Sequence, residues 1–121
     1  MSTSDIDFVS FQVRDIEASA RFYTEVVGLT PIPVPNPHAK AFSDGTVTFA
    51  VRVPMPGFDL DAVGTPGAGI AVWFKSQDPA AVHEKLVSAG ATIAEPPFEG
   101  PFGTTFSFRD LDGYLVTIHA A

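Results

Sequence analysis

Cysteine is absent, so the chain has no disulfide framework, no thiolate nucleophile and no thiolate metal site. Basic residues are scarce. Seven Lys and Arg stand against fourteen Asp and Glu, for a formal charge of -7, and no three basic residues cluster. That balance argues against nucleic acid or an anionic membrane as a partner; it sets either an acidic, solubilising surface or a taste for a cationic ligand. No apolar run approaches the roughly 18 residues of a membrane span. The start, MSTSDID, has neither a basic region nor an apolar core of a leader. A soluble, cytoplasmic chain is the expectation. Tryptophan and tyrosine are rare, one and two, whereas phenylalanine numbers eleven. Phenylalanine fills space without needing a polar partner, so a core or a pocket should be rich in rings.

The 121 residues suit a single domain, one able to bury about two-thirds of its unfolded surface. Its organising stretch is IDFVSFQVRDIEASARFYTEVVGLTP, Ile6 to Pro31. Val9, Phe11 and Val13 alternate with Phe8, Ser10 and Gln12, which predicts a two-faced strand. Asp15 can cap a helix with Glu17 in its first turn; Ile16, Ala20, Tyr23 and Val27 form its apolar stripe, and Gly28 stands where a left-handed cap belongs. Pro31, Pro33, Pro35 and Pro37 then restrict the next segment to an edge strand or an extended loop. A turn at Ser43, Asp44 and Gly45 precedes a strand from Val47 to Val53.

The second half repeats this order. Ile70, Val72 and Phe74 alternate with Ala71, Trp73 and Lys75. Asp78 and Pro79 open a helix carrying Val82, Leu86 and Ala89, and Gly90 closes it. A short strand, Ala91 to Ala94, leads to EPPFEGPFGTT, read as a Gly/Pro-rich loop whose GPFG stretch, Gly100 to Gly103, forms a mobile lid. A hairpin around Asp110 to Gly113 ends the chain. Gly28 and Gly90 lie 62 apart and Asp44 and Asp112 lie 68 apart, so six extra residues fall in the second copy's loop. The pattern indicates a duplicated βαβββ module: residues 5–53 and 68–120, joined by the aperiodic 54–67 within one domain spanning 1–121.

The patterns VRDIEASARFYTEVVGL, EKLVSAGA and FGTTFSFRDLDGYLVTI resemble the vicinal oxygen chelate superfamily, which holds glyoxalase I, extradiol dioxygenases and bleomycin-resistance proteins. The resemblance runs over about residues 5 to 120. It implies an α+β fold of two βαβββ modules whose curved mixed sheet surrounds a cleft, commonly in a homodimer. In metal-dependent members it also implies His or Glu ligands on inward faces of the first and last strands of each module. Carried over, those positions are Phe8 and Phe49 in the first module, and Ala71 (or Ile70 or Val72) and Thr117 in the second. None is His, Asp, Glu or Cys, so no metal is expected there, and glyoxalase or dioxygenase chemistry is not expected either.

The wall of the cleft is expected to be Phe8, Ser10 and Gln12, then Val47, Phe49 and Val51, then Ala71 and Trp73, and lastly Leu115, Thr117 and His119. An apolar wall with a few polar groups suits an organic ligand. Trp73 either stacks on that ligand or fills a closed core. His119 is a frayed surface histidine near the C-terminus, a hydrogen-bonding ligand contact, or a weak candidate for a general base or a displaced metal ligand. Ser10, Gln12 and Thr117 either fix a ligand's polar atoms or are ordinary half-buried strand residues. With no GxGxxG and no P-loop, no cofactor is expected. The leading expectation is a metal-free protein sequestering an aromatic or cationic small molecule. A lyase, isomerase or cyclase working without the usual metal, through His119 and Thr117 or through Glu95 and Glu99, is the alternative. A third is a module whose pocket is filled by its own phenylalanines and which acts only by association.

Overall fold

The computed structural model describes residues 2–121; Met1, where the expected domain begins, lies outside the described residues. The chain forms two compact units, one ending at Leu60 and the other beginning at Asp61. Each holds a four-stranded mixed sheet and one helical segment.

In the first unit the strands are β1 (Phe8–Gln12), β2 (Pro31–Ile32), β3 (Ala39–Phe42) and β4 (Thr48–Arg52), in the order β1-β4-β3-β2. The parallel pair β1 and β4 needs a crossover, which the helix α1 (Ile16–Arg21) supplies. Asp15 caps α1, accepting a hydrogen bond from the Ala18 N–H at 3.1 Å. Beyond Arg21 the winding loosens into π-helical turns over Phe22–Val27. Gly28, at φ +93°, ends them, and its N–H and that of Leu29 both donate to the Tyr23 carbonyl, at 3.0 and 2.9 Å. The wider winding delivers Tyr23 fully buried into a ring cluster, 5.0 Å from Phe49 between centroids, while Phe11 meets Phe49 edge-on at 4.9 Å. The prolines fall where the ladder tolerates them: β2 is a two-residue edge strand, followed by an extended loop.

In the second unit the strands are β5 (Val72–Ser76), β6 (Thr92–Gly100), β7 (Gly103–Arg109) and β8 (Leu115–Ala120), in the order β5-β8-β7-β6. The helix α2 (Pro79–Ser88) makes the crossover between parallel β5 and β8. Asp78 accepts from the Ala81 N–H at 3.1 Å, and Pro79 begins the helix, where a missing N–H is harmless. Leu86, Phe106, Phe108, Val116 and Ile118 form the buried layer between helix and sheet. Asp110 shapes the last turn, its carboxylate accepting from the N–H groups of Asp112 and Tyr114, both at 3.0 Å.

One expectation is overturned here. EPPFEGPFGTT is not a loop: β6 runs through it and pairs with β7 as far as Gly100 opposite Gly103. Pro96 and Pro97 are accommodated because β6 is an edge strand and its register shifts on both sides of Glu95. Residues 54–67 do lack strands and carry one short 3-10 turn, Leu60–Ala62.

Candidate functional site

Each sheet has a helix-packed face and an open face, and the strand registers say which residue belongs to which. In the first unit, β1 and β4 pair as Phe8 with Thr48, Ser10 with Ala50 and Gln12 with Arg52. The open face therefore carries Phe8, 55 % exposed, with Ser10, Gln12, Thr48, Ala50 and Arg52. Phe49 and Val51 belong to the other face, opposite Val9 and Phe11, and they are buried against the ring cluster. Their expected place on the ligand wall is thus corrected: both are core residues, while Val47 precedes β4 and is exposed. The physical reason is one residue of turn. Ser10 and Trp73 each stand five before their helix caps, yet Ser10 pairs with Ala50, five after Gly45, whereas Trp73 pairs with Thr117, four after Gly113. Counting alike from both turn glycines displaces β4 by one residue, and one residue inverts a strand.

Gln12 is tied up structurally. Its Oε1 accepts the Met55 N–H at 2.7 Å and anchors the chain leaving β4. Arg52 is turned toward the backbone, its Nε donating to the Val53 carbonyl at 2.9 Å.

The second unit's open face differs. Across the order β6, β7, β8, β5, one row reads Phe98, Thr105, His119, Lys75, and the next reads Glu95, Ser107, Thr117, Trp73. Thr117 is buried and bonds Ser107, hydroxyl to hydroxyl, at 2.8 Å. Thr105 donates to the Gly103 carbonyl at 3.0 Å. Leu115 lies half-buried on the same face, opposite Arg109. Above these satisfied hydroxyls stand three rings. Trp73 lies 5.8 Å from His119 and 5.8 Å from Phe102, and Phe102 lies 5.7 Å from His119. Trp73 is 47 % exposed and Phe102 59 %. Trp73 is therefore not the filling of a closed core, and His119 is held in place rather than frayed.

Phe102 was not among the expected wall residues. It sits in the two-residue turn between Gly100 and Gly103, which brings it over β8. Gly103 makes that approach possible: its φ is +81°, and a Cβ there would lie 2.8 Å from the Ala120 Cβ. GPFG is thus the tight end of a hairpin rather than an open lid segment. The GPFG string was the available signal, since a two-residue loop flanked by glycines is also hairpin grammar.

Among the described residues, neither unit places a donor set for a divalent ion at the expected positions. With the corrected register the positions are Phe8 and Ala50 in one unit and Ala71 and Thr117 in the other, and the Thr117 hydroxyl already bonds Ser107. Among the described residues no three His, Asp or Glu side chains gather into a candidate cluster. These residue types do not fit the superfamily's metal. A separate groove of about 480 Å³ lies in the first unit between Ala20, Thr24 and the proline-rich 31–37. None of the expected wall residues lines it, and its one titratable side chain, Lys40, faces Glu17 at 3.7 Å.

Among the described residues no helix is long and apolar enough to cross a membrane. The chain resembles solved structures along nearly its whole length. A glyoxalase-related enzyme from Fulvimarina pelagi is 23 % identical, with a TM-score of 0.75, over 98 % of this chain and 89 % of that one. TnmS3, an antibiotic binding protein from Streptomyces sp. CB03234, is 21 % identical, with a TM-score of 0.73, over 99 % and 98 %. The virulence protein STM3117 from Salmonella typhimurium is 29 % identical, with a TM-score of 0.68, over 99 % and 98 %. Residues 5–118 match the family model for these folds, and the chain belongs to the Glyoxalase/Bleomycin resistance protein/Dioxygenase superfamily.

Proposed function

We propose that this protein binds a flat aromatic small molecule on the open face of its second unit and does so without a divalent metal. The observation that carries the reading is the cluster of Trp73, Phe102 and His119, with two large apolar rings left in water on one sheet face. Exposed rings in a group are costly to solvate and are where a planar ligand gains most by stacking. Beneath them the Ser107 and Thr117 hydroxyls bond each other and that of Thr105 donates to the Gly103 carbonyl, so the floor is already satisfied rather than reactive. The antibiotic binding of TnmS3 agrees with this reading. Of the two ligand types expected, the aromatic one is favoured: Lys75 and Arg109 stand on this face against Glu95, a poor setting for a cation. The homodimer implied by the superfamily belongs to the same proposal.

Calorimetric titration with a panel of fused-ring aromatics tests it. Saturable one-to-one binding that is lost in Trp73→Ala is the expected result; no binding by any flat aromatic sinks the proposal. Metal analysis of protein purified without chelator should find well under one equivalent of divalent ion, and a full equivalent would overturn the metal-free part. Catalysis through His119 is the second reading, favoured by the ring nitrogen that its hydrogen bond leaves free. It predicts product by mass spectrometry on incubation with a bound aromatic, and no product in His119→Ala.

A further inference from the structure

The aromatic face has a defined hydrogen-bond polarity, and that narrows the ligand. His119 Nδ1 lies 2.8 Å from the Ala120 carbonyl oxygen. A carbonyl only accepts, so Nδ1 carries the proton, and in the neutral ring Nε2 must then be an acceptor. No hydrogen bond to Nε2 forms among the described residues. The neighbouring polar groups are spoken for: Thr105 donates to Gly103, Ser107 and Thr117 bond each other, and Arg109 donates to the Gly113 carbonyl at 3.2 Å. Two charged groups on this face carry no such bond among the described residues, Glu95 on the edge strand β6 and Lys75 on β5. Lys75 is exposed, sits directly across from His119 in the β5–β8 register and makes no ion pair among the described residues. Adjacent strands are about 4.8 Å apart, so the ammonium and the imidazole can meet at one ligand atom.

We infer that the ligand is a hydroxylated aromatic of the phenol type, its ring on Trp73 and Phe102, its O–H donating to His119 Nε2 and its oxygen accepting from the Lys75 ammonium. A phenolic oxygen is at once donor and acceptor, which this pair of groups requires. An ether oxygen can only accept, and a ring without oxygen does neither. The inference rests on the proposed aromatic site, and it can fail while that site stands.

The test uses 2-naphthol and 2-methoxynaphthalene, which share the stacking surface and differ in the hydroxyl proton, titrated calorimetrically into the full chain. The wild type should bind 2-naphthol about tenfold more tightly, as a hydrogen bond to a fixed acceptor allows. In His119→Phe the two probes should bind alike, because the ring remains and the acceptor does not. In Lys75→Met, an exposed position where folding is not at stake, both probes should weaken, because the phenol and the ether oxygen can each accept from the ammonium, while the preference for 2-naphthol, set by His119, should remain. Equal binding of both probes to the wild type, or a preference that survives His119→Phe, overturns the phenol inference and leaves the aromatic site intact. Failure of both probes to bind overturns the site itself.

Discussion

The two units share a strand order and a capped crossover helix, yet they spend their aromatic residues on opposite faces. In the first, Phe11, Phe22, Tyr23, Phe42 and Phe49 are all buried, the open face is mostly small or engaged side chains, and Phe8 and Phe58 are the exposed rings among the described residues. In the second, Phe106, Phe108 and Tyr114 are buried, and Trp73, Phe98 and Phe102 are left exposed. The helices follow suit. The π-helical turns of the first unit seat Tyr23 against the sheet, whereas α2 packs on its sheet through Leu86 and His83, whose ring lies 5.2 Å from Phe106. A duplicated backbone therefore does not duplicate a site. One copy keeps most of its rings inside; the other leaves a group of three, Trp73, Phe98 and Phe102, exposed.

The comparison is broken most forcefully at Phe49. Removing a ring at the hub of the first unit's core should cost about 3–5 kcal/mol, read from urea denaturation of Phe49→Ala. A loss below about 1 kcal/mol would mean that the first unit's rings are not its core. Next comes the support of the exposed cluster. Gly103→Ala combines a left-handed backbone with a clash at Ala120, so about 2 kcal/mol should be lost, together with a change in Trp73 fluorescence as Phe102 moves off the indole. Unchanged emission would separate the hairpin turn from the cluster.

A smaller effect on stability is expected where the rings face water. Trp73→Ala should alter unfolding by less than about 1 kcal/mol, since about half the side chain is already solvated, while its ligand affinity collapses. A core-sized loss would make the two aromatic sets equivalent after all. Smallest is the surface pair of Lys40 and Glu17, 3.7 Å apart and with both side chains well exposed: Lys40→Gln should shift stability by about 0.5 kcal/mol or less in low salt.

Much of the fold was legible in residue order. Asp15 and Asp78 as caps, Gly28 and Gly90 as stops and proline on edge strands follow from local chemistry, and each is found in place. The site was legible only in part. Trp73, Thr117 and His119 do share one face, because strand alternation is rigid once the register is right. Phe49 and Val51 do not join Phe8, because the turn after Gly45 holds one residue more than the turn after Gly113, and nothing local reveals it. Phe102 escaped for the converse reason: Gly and Pro signal a break equally well in a loop and in a tight hairpin.

What the sequence by itself determined is periodicity: two two-faced strands followed by capped helices, repeated, with no His, Asp, Glu or Cys at the positions that the resemblance marks for metal ligands. Local backbone preference and side-chain chemistry are enough for that. Which face of β4 meets the helix, how β6 passes through its prolines, and the meeting of Trp73, Phe102 and His119 were decided only by tertiary structure. Each depends on the pairing of residues distant in the chain, where a shift of one position turns a core residue into a surface one.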